Sequence, residues 1–440
     1  MSAFRPLPFQ YQQRGPELAK AQGDQLARYT EQRDQDLENY LANRSGGLRT
    51  YYYIIGPEGS VGADEVDFLA SSASSYDITD GINAAIAAGA ANPLNTAIIF
   101  LLPGAYTFSP ITVSDSNMGV AFIASPVAQA VCSSPTDPAI TGGSTLVLVD
   151  VVFGNVGGGL CWAPSNSFFS TLSIHMSALG STSALGGVSA PGGLGVKMAS
   201  TGGSSTGMAG DITSVEASFI DLTNTTYSGT ISSGTNVGLS MQSSTLNGSV
   251  IAGGVVTVSA QDCKFNSLGD TILEASGNVI VSSSDTVWDV SLYDDTLFVA
   301  GGLLLTHCVG DHFKAYEVGV VDGTALPGVD AAVTFGNCSF YRPDSTSFTE
   351  PMLTLSAGAS YNFLTGNSFR ESQIATGQVM LRIEGDENVV SGNYFRNASA
   401  SPTDIEIVSG ADNNAIRKNS GNDAGLLPYI TDAGTGTVID

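Results

Sequence analysis

Three short segments decide the fold: Gly336-Asn-Cys-Ser-Phe340, Gly366-Asn-Ser-Phe369 and Gly392-Asn-Tyr-Phe395. Each begins with a Gly-Asn pair, and both residue types tolerate the left-handed backbone angles of tight turns. Each ends on a phenylalanine, and residues two apart in a strand lie on the same face. The segments therefore predict a turn followed by a short strand with an inward aromatic side chain, repeated along the chain.

The same pattern, a small or polar residue two positions before a large one, recurs from residue 215 onward. The pairs are Ala217/Phe219, Ser244/Leu246, Cys263/Phe265, Thr286/Trp288, Cys308/Gly310, Cys338/Phe340, Asn367/Phe369 and Asn393/Phe395. Their second members lie 19 to 30 residues apart, which is the length of one β-solenoid coil with variable loops.

Stacked coils bury faces that a single coil leaves exposed, at a strand spacing of about 4.8 Å. We therefore predict a core ladder, interrupted at Gly310, whose members are Phe219, Leu246, Phe265, Trp288, Phe340, Phe369 and Phe395, with Cys263, Cys308 and Cys338. Parallel strands connected in this way are expected to follow the right-handed crossover sense. The alternation within residues 145–153 further predicts a strand buried on both faces.

Residues 77–106 predict a short helix and then a strand with a Pro-Gly turn. Asp77 or Thr79 can cap the helix, and Gly89 is expected to end it. This stretch resembles the entry to pectate-lyase-like right-handed β-helices, in the residues Asp77, Thr79, Ile82, Ala85, Ile86, Ile99, Phe100, Pro103, Gly104 and Tyr106. The resemblance implies an all-β, right-handed parallel β-helix over residues 77–425, with the capping helix and entry strands in 77–115. Residues 426–440 are expected to form a C-terminal cap, because an open solenoid edge invites aggregation.

The N-terminal residues have a different composition. Residues 1–15 predict an extended arm that anchors the chain to another protein through Phe4, Pro6, Pro8, Phe9 and Tyr11; the alternative is a frayed terminus. Residues 16–47 predict a helix whose apolar positions repeat every eleven residues, at Leu18, Leu26, Tyr29, Leu37 and Tyr40. Such a helix fits a self-associating trimeric stalk, the alternative being a helix that lies on its own chain. Residues 48–76 are interpreted as a linker.

Composition excludes several classes of function. The net charge of −25 disfavours nucleic acid and anionic membranes as partners. Five cysteines, an odd number without a C-x-x-C pair, indicate buried free thiols instead of a disulfide framework or a zinc site. No metal site or cofactor is predicted. The N-terminus carries no apolar core of a signal peptide, and the run 97–102 is too short to span a bilayer. Synthesis in a host cytoplasm and assembly into a virion would fit these features.

Carboxylates are the candidate catalytic groups, because paired acids cleave glycosidic bonds. Asp294 and Asp295 lie in an aromatic context, and Asp311 and Glu317 follow about one coil later. The alternative is that these residues are solvated acids of a very acidic protein.

An arm, a stalk helix and a β-helix in this order resemble a bacteriophage tail spike or tail fibre. The resemblance implies a homotrimer that joins other virion proteins through its N-terminus and meets a host surface polysaccharide with its β-helix. Two alternatives stay open: a polysaccharide depolymerase, and a head or collar fibre without a receptor role.

Overall fold

The computed structural model describes residues 52–59, 65–91, 95–156, 159–177, 182–201, 205–266, 271–290, 296–315, 317–321, 334–342, 350–371, 379–396, 403–421 and 428–440. The predicted arm (1–15) and stalk (16–47) lie outside these residues. The described residues all belong to one compact unit, which begins at Tyr52.

The chain winds into a parallel β-solenoid, as the repeat predicted. Each complete coil contributes a strand to each of three faces, A, B and C, and every strand pairs in parallel with its equivalent in the next coil. Four long strands turn a corner and serve two faces. Gly119–Cys132 and Thr145–Asn155 belong to A and then B, whereas Leu273–Ser284 and Phe298–Val309 belong to C and then A.

The remaining strands, apart from Phe68–Ala70, belong to one face each. Face A contains Tyr52–Pro57, Thr96–Leu101, Phe169–Met176, Gly193–Ser200, Ser218–Thr223, Val237–Gln242, Val256–Gln261, Thr334–Gly336, Phe363–Thr365, Val389–Ser391, Ala415–Arg417 and Val438–Ile439. Face B contains Ala105–Phe108, Thr182–Leu185, Ser205–Ala209, Thr225–Ser228, Thr245–Asn247, Lys264–Asn266, Val287–Asp289, His312–Lys314, Ser339–Arg342, Ser368–Glu371 and Tyr394–Arg396. Face C contains Ile111–Val113, Ile140–Gly142, Trp162–Ala163, Val188–Ala190, Ile212–Ser214, Ile231–Ser233, Val250–Ala252, Gly319–Val321, Leu353–Leu355, Val379–Ile383, Thr403–Ile407 and Ile430–Asp432.

A single α-helix of the described chain, α1, spans Thr79–Ala90 near the first coils, and a 3-10 turn spans Ser72–Ser74. The N-cap is Ile78, which makes no side-chain cap hydrogen bond, so the prediction that Asp77 or Thr79 caps the helix was wrong. Asp77 lies one residue earlier, and its carboxylate accepts a hydrogen bond from Thr79 N at 2.8 Å. Gly89 does not end the helix, which continues to Ala90. Gly89 instead permits a close approach, since a Cβ there would lie 2.6 Å from Ala97 N.

The solenoid extends beyond its predicted limits. Strands Tyr52–Pro57 and Phe68–Ala70 pair with each other inside residues 48–76, and the first also pairs with Thr96–Leu101. Our interpretation of that segment as a linker was therefore wrong for these strands. At the other end, strands Ile430–Asp432 and Val438–Ile439 continue faces C and A. The described part of the predicted cap thus prolongs the stack.

The core ladder lies on face B, on its inner side. Its members, in consecutive coils and in register, are Tyr227, Leu246, Phe265, Trp288, Phe313, Phe340, Phe369 and Phe395. The rings stack nearly parallel, with centroids 4.5 Å apart for Phe340 and Phe369 and 4.8 Å apart for Phe369 and Phe395. Six of the seven large apolar residues predicted for the ladder are therefore confirmed.

The exception is Phe219, whose side chain is 59% exposed. In its strand, Ser218–Thr223, Ile220 and Leu222 face the core, so alternation turns Phe219 outward. Tyr227 occupies the ladder in this coil. The predicted interruption at Gly310 was also an error of register, because Phe313 supplies the missing ring.

A column of left-handed residues explains that register. From residue 224 onward, each turn from face A to face B contains one residue with φ between +47° and +71°, namely Asn224, Ser243, Asp262, Asp285, Gly310, Asn337, Gly366, Gly392 and Lys418. The next residue in each coil is a buried polar or thiol side chain, which together we name the turn ladder: Thr225, Ser244, Cys263, Thr286, Asp311, Cys338, Asn367, Asn393 and Asn419. In every coil up to Asn393, the member of the core ladder follows two positions after the member of the turn ladder.

Cys308 does not belong to either ladder. It is buried on face A, in register with Ser283 and Phe335, whereas Cys263 and Cys338 lie in the turn ladder. All five cysteines are free and buried, which confirms the prediction of buried free thiols.

Strand Thr145–Asn155 is buried on one face only in its first half, so the prediction of burial on both faces was wrong there. Leu146 and Leu148 are fully buried, whereas Val147 and Val149 on the outer side are half-buried.

Candidate functional site

Asp311, one of the candidate acids, lies inside the solenoid as a member of the turn ladder. Its side chain is 0% exposed. One carboxylate oxygen accepts from Thr286 N at 2.8 Å and the other from Ser283 Oγ at 2.7 Å. Burial raises the pKa of Asp311 to about 6. A group enclosed in this way cannot touch a polymeric substrate, so its contacts indicate a structural role.

The thiols around Asp311 are equally enclosed. Burial, and next the Asp311 carboxylate, raise the pKa values of both Cys308 and Cys338, the latter to about 12. Cys338 Sγ donates to Cys308 O at 3.2 Å. These thiols are therefore protonated at neutral pH, which makes them poor nucleophiles.

Glu317 is the described candidate acid that lies outside the core. Its side chain is half-buried and accepts from Thr296 Oγ1 at 3.0 Å. Burial raises the pKa of Glu317, the Glu350 carboxylate raises it further, and the Arg342 guanidinium opposes both effects. Arg342 is itself 1% exposed and donates to Glu350 O at 2.8 Å. A carboxyl group with a raised pKa next to a second carboxylate has the chemistry of a general acid.

The predicted pairing of acids stays untested. Asp294 and Asp295 lie outside the described residues, so their relation to Glu317 is undefined. His312, which is exposed, shares a hydrogen bond of 2.7 Å between its Nδ1 and Ser339 Oγ.

Sequence reasoning missed an exposed aromatic cluster on the outer side of face A. Phe168, Phe169 and Phe219 are 84%, 43% and 59% exposed, and the Phe169 and Phe219 ring centroids lie 6.4 Å apart. The turn before the first strand is fixed by Asn166, whose Oδ1 accepts from Phe168 N at 2.8 Å. Counting alternation within each strand would have found two of these rings, since Phe169 and Phe219 both precede inward-facing residues.

Glycines beneath the rings give them space against the sheet. A Cβ on Gly195 would lie 3.0 Å from Phe169 Cζ, and one on Gly238 would lie 3.1 Å from Phe219 Cδ1. The two rings therefore lie over Gly195 and Gly238, where any other residue would place a side chain, and they pack against the backbone of these glycines.

Charged residues border the rings. Exposed Lys197 and half-buried Asp221 are neighbours in register on adjoining strands of face A. We call Phe168, Phe169, Phe219, Lys197 and Asp221 the aromatic patch. Apolar ring faces beside one cation and one anion suit a ligand that has both apolar C–H surfaces and hydroxyl groups.

The described residues contain no group of three or more His, Cys, Asp or Glu side chains that could hold a metal ion. Within the same residues, no helix is both long enough and apolar enough to cross a membrane.

In comparisons with known proteins, neither a protein-family model nor a curated protein matches the chain. The function has to be inferred from the fold and from the two sites described above, the aromatic patch and the surroundings of Glu317.

Proposed function

We propose that this chain is a structural virion component, a homotrimeric bacteriophage tail spike or tail fibre that attaches to a polysaccharide on the host cell surface. In this proposal residues 1–15 bind another virion protein, residues 16–47 form a trimeric stalk, and the solenoid is right-handed. The order of these parts along the chain and the long parallel stack support the proposal.

The aromatic patch is the observation that carries the receptor role. Exposed aromatic rings lower the solubility of a protein unless they bind a ligand or partner. Contiguous exposed apolar surface therefore marks interaction sites. Sugar rings present apolar C–H faces that stack on aromatic rings, and their hydroxyl groups can bond to Lys197 and Asp221. A stiff β-sheet positions these groups without the entropic cost of ordering a loop.

Binding of the full-length protein to purified host capsule or lipopolysaccharide would test this proposal. We expect Phe169→Ala and Phe219→Ala each to weaken binding at least tenfold, because each removes a stacking surface. The matched control is Phe363→Ala, which removes a ring that is 44% exposed on face A outside the patch. Equal binding by all three variants and the unchanged protein would contradict the receptor role of the patch.

A second candidate function, a glycan depolymerase, is favoured by the surroundings of Glu317. Its raised pKa keeps a fraction of the side chain protonated closer to neutral pH than an ordinary glutamic acid, and Glu350 can supply a second carboxylate. Most glycosidases cleave the glycosidic bond with such a pair of carboxyl groups.

Release of reducing ends from host polysaccharide would separate the two functions. If the chain is a depolymerase, Glu317→Gln should lower the rate at least a hundredfold, whereas Glu274→Gln, an exposed glutamate on face C, should leave it unchanged. Binding without any release of oligosaccharides would leave the adhesin as the function.

A further inference from the structure

Two arginines, Arg370 and Arg396, are neighbours in register on adjoining strands of face B. Both side chains are exposed on the outer side of the sheet, since Phe369 and Phe395 on the same strands face the core. We call Arg370 and Arg396 the arginine pair. Residues 52–440 contain nine lysines and arginines in a chain with a net charge of −25, so two arginines side by side reverse the charge locally.

Two other cations of the solenoid lie next to an acid of a neighbouring coil. Lys314 Nζ lies 3.4 Å from Asp289 Oδ2, and Arg382 Nε lies 2.6 Å from Glu406 Oε2. In the arginine pair the neighbour is a second cation, and like charges at adjoining positions of a sheet are destabilising. Among the described residues, no carboxylate forms an ion pair with either guanidinium. The pair is therefore a place where a bound anion would remove an unfavourable interaction.

Arg370 is held in place with most of its hydrogen-bonding capacity unused. Its Nε donates to Ser368 Oγ at 3.0 Å, and its Cζ lies 5.9 Å from the ring centroid of Tyr394. A guanidinium has five N–H donors, and within the described part of the chain only this one has an acceptor. The remaining donors are free to bind an oxyanion through two parallel hydrogen bonds.

The arginine pair belongs to a row that runs along the stack. Lys314, Tyr341, Arg370 and Arg396 occupy one column of face B in four consecutive coils. At a strand spacing of about 4.8 Å the row is about 14 Å long. Tyr341 is 39% exposed and offers an apolar ring within the row. A ligand that contacts the whole row is therefore an extended chain with both negative charge and apolar surface.

A polysaccharide that contains acidic sugars has both properties. Its oxyanion groups can bind the arginine guanidinium groups, and the C–H faces of its sugar rings can stack on Tyr341. Nucleic acid is also an anionic chain, but proteins bind it through basic grooves that contact many phosphates. The row on face B is one residue wide on a strongly acidic protein, which favours the polysaccharide.

We infer that the arginine pair, together with Tyr341, binds the acidic groups of a polysaccharide that lies along the stack on face B. This inference rests on the proposed attachment to a host polysaccharide, and it names the class: a chain whose sugars carry carboxylate or sulfate groups. The site is separate from the aromatic patch, which lies on face A.

Binding of the full-length protein to polymers of known charge tests the inference. We expect polygalacturonate or dextran sulfate to bind and neutral dextran not to bind, and the tighter of the two acidic polymers identifies the oxyanion. Arg370→Gln and Arg396→Gln should each weaken that binding at least tenfold, and added salt should weaken it further. The matched control is Arg382→Gln, which removes the same charge on face C and should bind within twofold of the unchanged protein.

Unfolding midpoints distinguish a binding role of the arginine pair from a structural one. Arg396→Glu places an acid beside Arg370, so we expect it to abolish binding while the thermal unfolding midpoint stays the same or rises. If Arg370→Gln and Arg396→Gln lower the midpoint and bind the acidic polymers as tightly as the unchanged protein, the pair stabilises the fold and the inference is overturned.

The remaining outcomes separate failure of this site from failure of the proposed function. The inference alone is overturned if the unchanged protein binds purified host polysaccharide but neither acidic polymer, or if a single-stranded DNA oligonucleotide binds the arginine pair as tightly as they do. A smaller molecular mass of Arg396→Gln in solution would also overturn it, because the pair would then bind another copy of the chain. If the unchanged protein binds neither the acidic polymers nor host capsule or lipopolysaccharide, the proposed function fails as well.

Discussion

The turn ladder has hydroxyl and thiol side chains in its first six coils, apart from the carboxyl group of Asp311, and asparagine in its last three. In the first part, Ser244 Oγ accepts from Thr225 N at 3.1 Å and donates to Gln242 O at 2.8 Å. In the last part, Asn393 Oδ1 accepts from Asn367 N at 2.8 Å, and Asn393 Nδ2 donates to Leu364 O at 2.8 Å and to Asn419 Oδ1 at 3.0 Å. The same turn is therefore closed by one or two bonds in one region and by a continuous chain of amides in the other.

This difference between hydroxyl and asparagine side chains indicates that the last coils depend more on polar contacts than the earlier coils do. An amide side chain has two donors and an acceptor, so each asparagine links its own coil to both neighbours, whereas a hydroxyl has a single donor. The last coils repeat the device at the turn from face C to face A, where Asn388 N donates to Asn414 Oδ1 at 2.8 Å and Asn362 N donates to Asn388 Oδ1 at 3.0 Å. The two asparagine ladders therefore link successive coils at both of these corners.

The largest effect is expected from the aromatic partner of the asparagine ladder. Phe369→Ala removes a fully buried ring stacked between Phe340 and Phe395, so we expect a loss of about 4 kcal/mol of unfolding free energy. Urea unfolding followed by circular dichroism would measure it. The matched control is Phe219→Ala, an exposed ring, which should change stability by less than about 0.5 kcal/mol. Similar losses for the two variants would mean that the buried rings of the core ladder do not stabilise the solenoid more than an exposed ring does.

Removing one asparagine comes next. Asn393→Ala leaves Asn367 N and Leu364 O buried without their side-chain partner, and we expect a cost of about 3 to 4 kcal/mol. Hydrogen exchange should show faster exchange at the Asn367 amide than in the unchanged protein. If that amide stays as protected as before, the ladder is not what satisfies it.

Asp311 sharpens the comparison because it stands where the later coils have asparagine. Burial raises the pKa of Asp311 from 3.8 to about 6, so the folded protein binds this proton more tightly than the unfolded chain does. The stabilising contribution of this group is complete below pH 3.8 and is lost as the pH rises through about 6. The full loss is about 3 kcal/mol, from a shift of roughly two pKa units.

Asp311→Asn is the corresponding experiment. The amide resembles the protonated acid in shape but does not ionise, so the variant should match the unchanged protein at pH 4 and exceed it by about 3 kcal/mol at pH 7.5. Unfolding midpoints at the two pH values would measure the difference. As a control for the substitution itself, Asp262→Asn replaces an exposed aspartate in the left-handed column of an earlier turn, and it should change stability by less than about 0.5 kcal/mol. A constant difference between Asp311→Asn and the unchanged protein across this range would contradict the ionisation of Asp311 as its cause.

The sequence was sufficient to predict the solenoid and most of its core ladder, because a repeated aromatic residue two positions after a small one survives changes of loop length. It was not sufficient for the Gly-Asn dipeptide, whose asparagine has one role in one coil and a different role in two others. Asn337 in Gly336-Asn-Cys is the left-handed residue of its turn, whereas Asn367 and Asn393 are buried ladder residues that follow a left-handed glycine. The register differs by one residue, and only the pairing of the strands reveals it.

The candidate sites show the same limit. Asp311 was selected as an acid near Glu317, but its inward orientation follows from its position two residues before Phe313, which the misplaced register had hidden. Phe169 and Phe219 were accessible to sequence reasoning through strand alternation, yet their separation of 6.4 Å depends on strands two coils apart. Proximity of that kind arises from stacking, which a linear pattern does not specify.

The smallest effect is expected in the hydroxyl region of the turn ladder. Ser244→Ala removes the acceptor of Thr225 N and one donor to Gln242 O, and we expect a loss of about 1 kcal/mol, since small neighbours allow partial relaxation. Ser244→Asn is the complementary test, because it introduces the asparagine side chain of the later coils into an early turn. If the amide is what stiffens the last coils, the variant should lower the exchange rate of the Thr225 amide relative to the unchanged protein. A rate as high as in Ser244→Ala would show instead that the surrounding core, and not the polar side chain, determines which residue the turn accepts.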